Sequence, residues 1–216
     1  MKKHVIAALL LGAIALPLLQ GCVPVIAAGA TAGALSAFDR RSLGTQTEDE
    51  TIEWKSSARV SEKFGDKVHI NFTSFNRKVL LTGEVPTAED KAEAEIIVSG
   101  VTNVQGVYNE LTVGPVSSFS DRSNDSYITS KVKGRMVDSG KFNPVHVKVV
   151  TEAGVVFLLG MVTQPEADSA ISVARTTSGV KKVVNLLEII TPAKARELDI
   201  TQSNSSKPAP AETKNP

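Results

Sequence analysis

A single cysteine, Cys22, stands in a chain of 216 residues. That excludes an intramolecular disulfide and any multi-cysteine zinc site. An excess of one charge is also missing: 24 Lys and Arg face 23 Asp and Glu, a formal net charge of +1. No global electrostatic case for nucleic acid follows from such a balance. Aromatic residues make up only 5% of the chain, so the apolar interior falls to Val, Ile and Leu, as suits small α/β cores. The glycines show neither P-loop nor G-x-G-x-x-G spacing. The serines of Ser117-Ser118-Phe119-Ser120 lack a G-x-S-x-G context. Asp and Glu gather at expected helix starts, where the helix dipole accounts for them without acid/base chemistry. We therefore assign no catalytic residue, cofactor or nucleic-acid partner, and expect no enzyme.

What the sequence does have is an internal repeat. Val79-Leu80-Leu81-Thr82-Gly83-Glu84-Val85 returns as Val156-Phe157-Leu158-Leu159-Gly160-Met161-Val162. Val68-His69-Ile70-Asn71-Phe72 returns as Val145-His146-Val147-Lys148-Val149 at the same offset, and Val107-Tyr108-Asn109-Glu110-Leu111 resembles Val183-Val184-Asn185-Leu186-Leu187. Two copies of one small unit follow, each with a marginal core of its own. A repeated small domain is a binding architecture more often than a catalytic one.

In the first copy, residues 47–113, Thr47 or Asp49 can cap a helix whose Ile52, Val60 and Phe64 share a face. Alternation over Val68 to Phe72, a turn at Asn76 and the run Val79 to Val85 predict two strands. A helix from Ala88 to Val98 and a strand from Val107 to Val113 complete the unit. The second copy, residues 123–191, repeats the order. Asn124 or Asp125 caps a helix to Ser139, and strands at Val145 to Val149 and Val155 to Val162 flank a turn at Glu152-Ala153-Gly154. A helix follows from Gln164, with Pro165 in its first turn, and then a strand from Val183 to Ile190. Residues 114–122 read as a polar linker. The fold class is α+β: two tandem α-β-β-α-β domains, each a three-stranded mixed sheet with both helices on one face. Gly83 and Gly160, inside strands, read as packing or bulge positions under a helix.

The ends differ in character. Lys2 and Lys3 precede an apolar run from Val5 to Leu19 that Pro17 interrupts, too short and broken for a membrane span and suited to a secretory signal over residues 1–21. Leu19-Gln20-Gly21-Cys22 resembles a bacterial lipobox, which implies cleavage before Cys22 and acylation of its thiol. The mature chain loses two lysines and no acid, leaving 22 bases against 23 acids. Residues 22–46 read as a lipidated tether, and 192–216 as a C-terminal extension, largely disordered because Ser203 to Pro216 holds no large apolar residue.

The element order, Gly83 and Gly160, the lipobox, Asp39-Arg40-Arg41, Gly44-Thr45-Gln46 and Ser123 to Val132 together resemble the BON domain, and the whole chain resembles the dual-BON outer-membrane lipoproteins of the DolP family. The resemblance implies a non-enzymatic protein anchored on the periplasmic face of the outer membrane, which binds anionic phospholipid and supports envelope integrity. Val23, after the cysteine, is not the aspartate associated with inner-membrane retention in such proteins. Position 127 is Tyr here, where family members can carry Trp, a stronger interfacial anchor. The alternative is a protein adaptor for outer-membrane assembly machinery, with lipid contact incidental.

Three finer expectations follow. His69 and His146 occupy equivalent strand positions facing away from the helices. A metal pair would need more ligands, so both read as exposed strand histidines and no metal site is assigned. Phe157, Leu159 and Met161 make the second sheet apolar on its outer side, so something must cover it; Leu80, Thr82 and Glu84 make the first sheet's outer side read as wet. On the first helix of the second copy, Ile128, Val132 and Met136 point inward, while Tyr127, Lys131 and Arg135 form an outer stripe with the small Ser130 and Gly134 alongside and Lys133 at the flank. An amphipathic ring, cations and little bulk suit an anionic bilayer surface.

Overall fold

The computed structural model describes residues 39–205. Cys22, with the signal and most of the expected tether, lies outside the described residues, as does the end of the C-terminal extension. Among the described residues, no helix is long and apolar enough to cross a membrane.

Each copy opens on a long helix. Helix α1 spans Leu43–Phe64 and buries Ile52, Ser56, Val60 and Phe64 along one stripe; its counterpart α3 spans Phe119–Ser139 and buries Ile128, Val132 and Met136. Both begin several residues before the expected starts, inside the stretches read as tether and linker. The caps are serines: Ser42 accepts from the Thr45 amide, and Ser118 forms a reciprocal capping box with Asp121. Glycines end both helices, Gly65 and Gly140, each at positive φ, where a side chain would be strained. Asp49 and Asp125 are therefore not caps. They lie inside the helices and are buried.

Their role is to hold the hairpin turns. Strands β1 (His69–Phe75) and β2 (Lys78–Val85) pair antiparallel in the first copy, and β5 (Val147–Glu152) and β6 (Val155–Val162) do so in the second. The turn residues Asn76 and Arg77, and Ala153 and Gly154, all have positive φ, the arrangement that matches strand twist in two-residue hairpins. Such a turn points backbone N–H groups back at the helix. Asp49 accepts from the Asn76 and Arg77 amides at 2.8 and 2.7 Å and from the Ser74 hydroxyl at 2.6 Å. Asp125 accepts from the Ala153 and Gly154 amides, both at 2.8 Å.

Crossover helices α2 (Ala88–Ser99) and α4 (Gln164–Arg175) return the chain to a third, parallel strand beside β2 and β6. In the second copy this is β7, Lys182–Ile189, continuous along β6. In the first it is interrupted: β3 (Gly106–Asn109) and β4 (Thr112–Val113) both pair with β2. Between them the Glu110 amide still reaches the Leu81 carbonyl. Gly83 and Gly160 lie where the hairpin partner comes close. A Cβ at either would stand 2.1 or 2.2 Å from the His69 or His146 carbonyl oxygen, so neighbouring backbone, rather than an overlying helix, demands glycine there.

The two helix-covered cores lie on one face of each sheet: Ile52, Val79, Leu81 and Val98 in the first copy, Ile128, Val132, Val156 and Leu158 in the second. The opposite faces meet each other. Phe75 and Leu80 pack with Phe157 and Leu159, which covers the apolar outer side of the second sheet as its composition requires. Met161 packs at the edge of this cluster. The first sheet's outer side is not wet: Leu80, Thr82 and Glu84 are all buried. The polar groups on that side are paired across the seam, with Asn71 donating to Glu152 at 2.9 Å and Lys78 contacting Glu188 at 3.2 Å.

The first part of the C-terminal extension is helical. Helix α5 runs over Pro192–Ser205 and buries Ala195 and Gln202. Arg40 ties it down, in the stretch expected to be tether. The buried guanidinium reaches Glu166 at 2.8 Å, Asp199 at 2.9 Å and the Met161 carbonyl at 2.9 Å. Next to it, Arg41 turns the other way, to Asp39 and Asp49, with its guanidinium 4.1 Å from the Phe75 ring centre. Consecutive arginines thus clasp the second and first domains.

Candidate functional site

Side chains on the outward face of α3 define the candidate site, and the two copies differ there. Tyr127, Ser130 and Gly134 project outward and are exposed, as expected. The structure adds two apolar side chains, Phe119 (81% exposed) and Val137 (63%), beside Tyr127 (62%). On a 3.6-residue helix these three fall within one side, with Ser123, Ser126, Ser130 and Gly134 between them. The serine hydroxyls turn inward on the helix: Ser123 donates to the Phe119 carbonyl, Ser126 to Arg122 and Ser130 to Ser126. The face therefore presents apolar tips over small residues whose donors are already used. Sequence reasoning missed Phe119 because it read Asn124 or Asp125 as the helix cap. The signal was present in the capping-box spacing of Ser118 and Asp121.

The cations are more committed than their spacing suggests. Lys131 is half-buried; its ammonium donates to the Ser178 carbonyl at 2.6 Å and sits 4.6 Å from the Tyr127 ring centre. Arg135 donates to the Val173 carbonyl at 3.2 Å and the Thr177 hydroxyl at 2.9 Å. Both cations lie against the C-terminal end of α4, where positive charge complements exposed carbonyls. Arg59 plays the same part in the first copy, donating to the Gly100 carbonyl at 2.8 Å. Lys133 is exposed but is not brought to the stripe. It lines a cavity of about 420 Å³ with Val137, Met136, Pro144, Phe75 and Arg41.

In the first copy the equivalent helix carries Thr51, Lys55 and Arg59, with an exposed Trp54. Helix α1 holds three bases and five acids, whereas α3 holds four bases and three acids, one of them the buried Asp125.

The histidines separate. His69 lies on the seam side of β1, and its Nδ1 is 2.9 Å from a Glu84 carboxylate oxygen. His146 is not on a strand. Pro144–His146 forms a 3-10 turn, and the imidazole is buried with Nδ1 3.9 Å from Glu166 and Nε2 3.7 Å from Asp199. Burial alone would raise the Glu166 pKa, but hydrogen bonds from Arg40 and Thr163 outweigh it and hold the carboxyl down at about 2. Glu152 is displaced the other way: burial raises its pKa, and the nearby Glu84 charge adds to the rise, against hydrogen bonds from Asn71 and Thr82. These arrangements fix domains in place; none sets a nucleophile against a general base.

The BON domain family model matches this chain twice, over residues 49–115 and 124–191. Outer membrane lipoprotein DolP of Haemophilus influenzae is 43% identical over 185 residues, covering 85% of this chain and 95% of that protein. A 21 kDa hemolysin of Actinobacillus pleuropneumoniae is 34% identical, covering 70% of this chain and 79% of the relative. Osmotically-inducible protein Y of Escherichia coli K12 is 31% identical, covering 68% and 75%. The chain belongs to the BON-domain family and, within it, to the outer-membrane lipoproteins of the DolP kind. None of these relatives carries the name of an enzyme.

Proposed function

We propose that the chain is a lipid-anchored, non-enzymatic module that docks on anionic phospholipid through the outward face of α3 and so supports envelope integrity. The observation that carries this reading is the exposed trio Phe119, Tyr127 and Val137 on one side of a helix, with the small Ser123, Ser126, Ser130 and Gly134 among them. Apolar tips enter the headgroup boundary, and the rim cations Lys131 and Arg135 meet lipid phosphates there, each adding about 1 kcal/mol on an anionic surface. Cys22, acylated, would hold the chain at the membrane while this face engages it. The test is co-sedimentation of the soluble fragment, without Cys22, on phosphatidylglycerol-containing and on neutral vesicles. Phe119→Ser with Tyr127→Ser should abolish binding to the anionic vesicles without altering the melting temperature, because neither side chain is buried. Lys131→Glu with Arg135→Glu should weaken it more than Lys55→Glu with Arg59→Glu. Undiminished binding by the serine pair, or equal loss from both charge pairs, overturns the assignment.

An adaptor role is a second reading, favoured by the exposed Trp54 on the first domain. If the fragment ignores both kinds of vesicle while Trp54→Ala disrupts a co-purifying assembly factor, that reading stands instead.

A further inference from the structure

We propose that His69, Glu84 and Glu152 form a binding site for a divalent cation of the zinc class, placed on the seam between the two domains. One ligand atom from each residue can be chosen so that all lie within 4.8 Å of one another. The three come from different strands: His69 opens β1, Glu84 is its cross-strand partner on β2, and Glu152 ends β5. The first two belong to one domain and the third to the other, so a bound ion would bridge the copies.

Charge is the main argument. Glu84 is 7% exposed and Glu152 9%. Two carboxylates facing each other out of water repel, and each loses hydration. Glu84 receives hydrogen bonds from His69 and from the Ser117 amide and hydroxyl; Glu152 receives them from Asn71 and Thr82, neither of which carries charge. Among the described residues, the only base hydrogen-bonded to this pair is His69, which carries at most one positive charge. Lys78 and Lys148, the ammonium groups elsewhere on the seam, are engaged with Glu188 and Glu53. A divalent ion would neutralise the pair outright.

Ligand type narrows the class. An imidazole nitrogen with two carboxylate oxygens suits zinc and its neighbours, whereas magnesium and calcium prefer oxygen alone. Access also exists: His69 and Glu152 line an open cavity of about 360 Å³ shared with Arg122 and Thr129, which can admit the ion and supply water as a further ligand.

The experiment uses the mature full-length lipoprotein in non-ionic detergent, stripped with a chelator, and follows thermal unfolding and calorimetric binding with Zn²⁺ or Mg²⁺. The expected result is one Zn²⁺ per chain with a rise in Tm, and no response to Mg²⁺. His69→Gln and Glu152→Gln should each lower zinc affinity roughly tenfold or more, since each removes one of three protein ligands. Glu152→Gln should do so while leaving the apo protein as stable as the parent or more so, which separates loss of the ligand from loss of the fold. His146→Gln should keep the zinc response. An unchanged Tm with zinc, an undiminished response in the His69 and Glu152 variants, or a response lost only with His146→Gln overturns the proposal.

Discussion

Helices α1 and α3 hold the same place in two copies of one unit, and below the surface they are built alike. Both start at a serine cap, both bury an aspartate that holds the hairpin turn, and both set an arginine against the end of the following helix. They part company most on the outside, where α1 shows acids around Trp54 and α3 shows Phe119, Tyr127 and Val137 over serines and glycine. The sheets differ in a parallel way, since the second carries Phe157 and Leu159 on its seam face while the first meets them with Leu80 and buried polar groups. Duplication of a binding unit leaves each copy's frame under the same packing constraints, whereas outer faces are free to diverge. Divergence of the outer faces of α1 and α3 is what a division of labour predicts: one copy as platform, one as contact.

The largest test of that comparison strikes the shared frame. Asp49→Ala should cost about 2 to 4 kcal/mol, because it strands the Asn76 and Arg77 amides and the Ser74 hydroxyl and leaves the half-buried Arg41 with Asp39 but without its second carboxylate. Asp125→Ala strands two amides alone and should cost about 1 to 3 kcal/mol. Urea unfolding of both variants checks the order. Equal losses would mean that the Arg41 contact contributes nothing, and the clasp could no longer distinguish the copies.

Acid should act on the second domain's side of the clasp. The Glu166 pKa falls from the ordinary 4.5 to about 2 on folding. A depressed carboxylate pKa contributes stability above the unfolded value and loses it as pH falls through the folded one. The window is therefore pH 4.5 down to 2, and the contribution at neutral pH is of the order of 3 kcal/mol. Parent and Glu166→Gln should differ most at pH 6 and converge as the pH approaches 2 in denaturant titrations. A constant gap across that range would assign the effect to packing rather than charge.

Much of this frame could be read from residues alone, and the omissions have a common cause. The repeat, the strand faces and the inward stripe Ile128, Val132 and Met136 are written in local periodicity. His146, Glu84 and Leu80 are not, because what buries them comes from elsewhere in the chain: Glu166 and Asp199 close on His146, and the partner sheet closes on Leu80 and Glu84. Asp49 and Asp125 look like caps because they sit near helix starts, and only the hairpin folding back reveals their use. The starts themselves were hidden by polar sequence around Ser42 and Ser118, which carries no apolar rhythm. Helix α5 leaves Leu198 half-buried and Ile200 exposed, and docks instead through Ala195, Gln202 and the Arg40–Asp199 pair, which give it no apolar rhythm to read. On α3 the cations Lys131 and Arg135 are tied to the end of α4 by contacts that helix spacing cannot show, and Phe119 and Val137 stand where apolar contact is available.

The smallest expected effect sharpens the comparison at the hairpin turns. The first copy spends Asn76 and Arg77 at positive φ, and the second spends Ala153 and Gly154. Asparagine tolerates that region because its side chain bonds locally, whereas alanine has only a Cβ close to its own carbonyl. Ala153 therefore sits at φ 51 with nothing of its own to offset the strain, and is held there by the Asp125 bond to its amide. Replacing it with the residue that the first copy uses at this place, Ala153→Asn, should stabilise the protein by about 1 kcal/mol. Ala153→Gly should give a smaller gain, because glycine brings extra freedom to the unfolded chain. Coupling to Asp125 gives the check. In Asp125→Ala the turn is no longer held from the helix, so the gain from Ala153→Asn should change, and a double-mutant cycle measures by how much. Strict additivity would mean that the turn keeps its geometry without the aspartate, and that the motif common to both copies is decoration on a hairpin the strands impose by themselves.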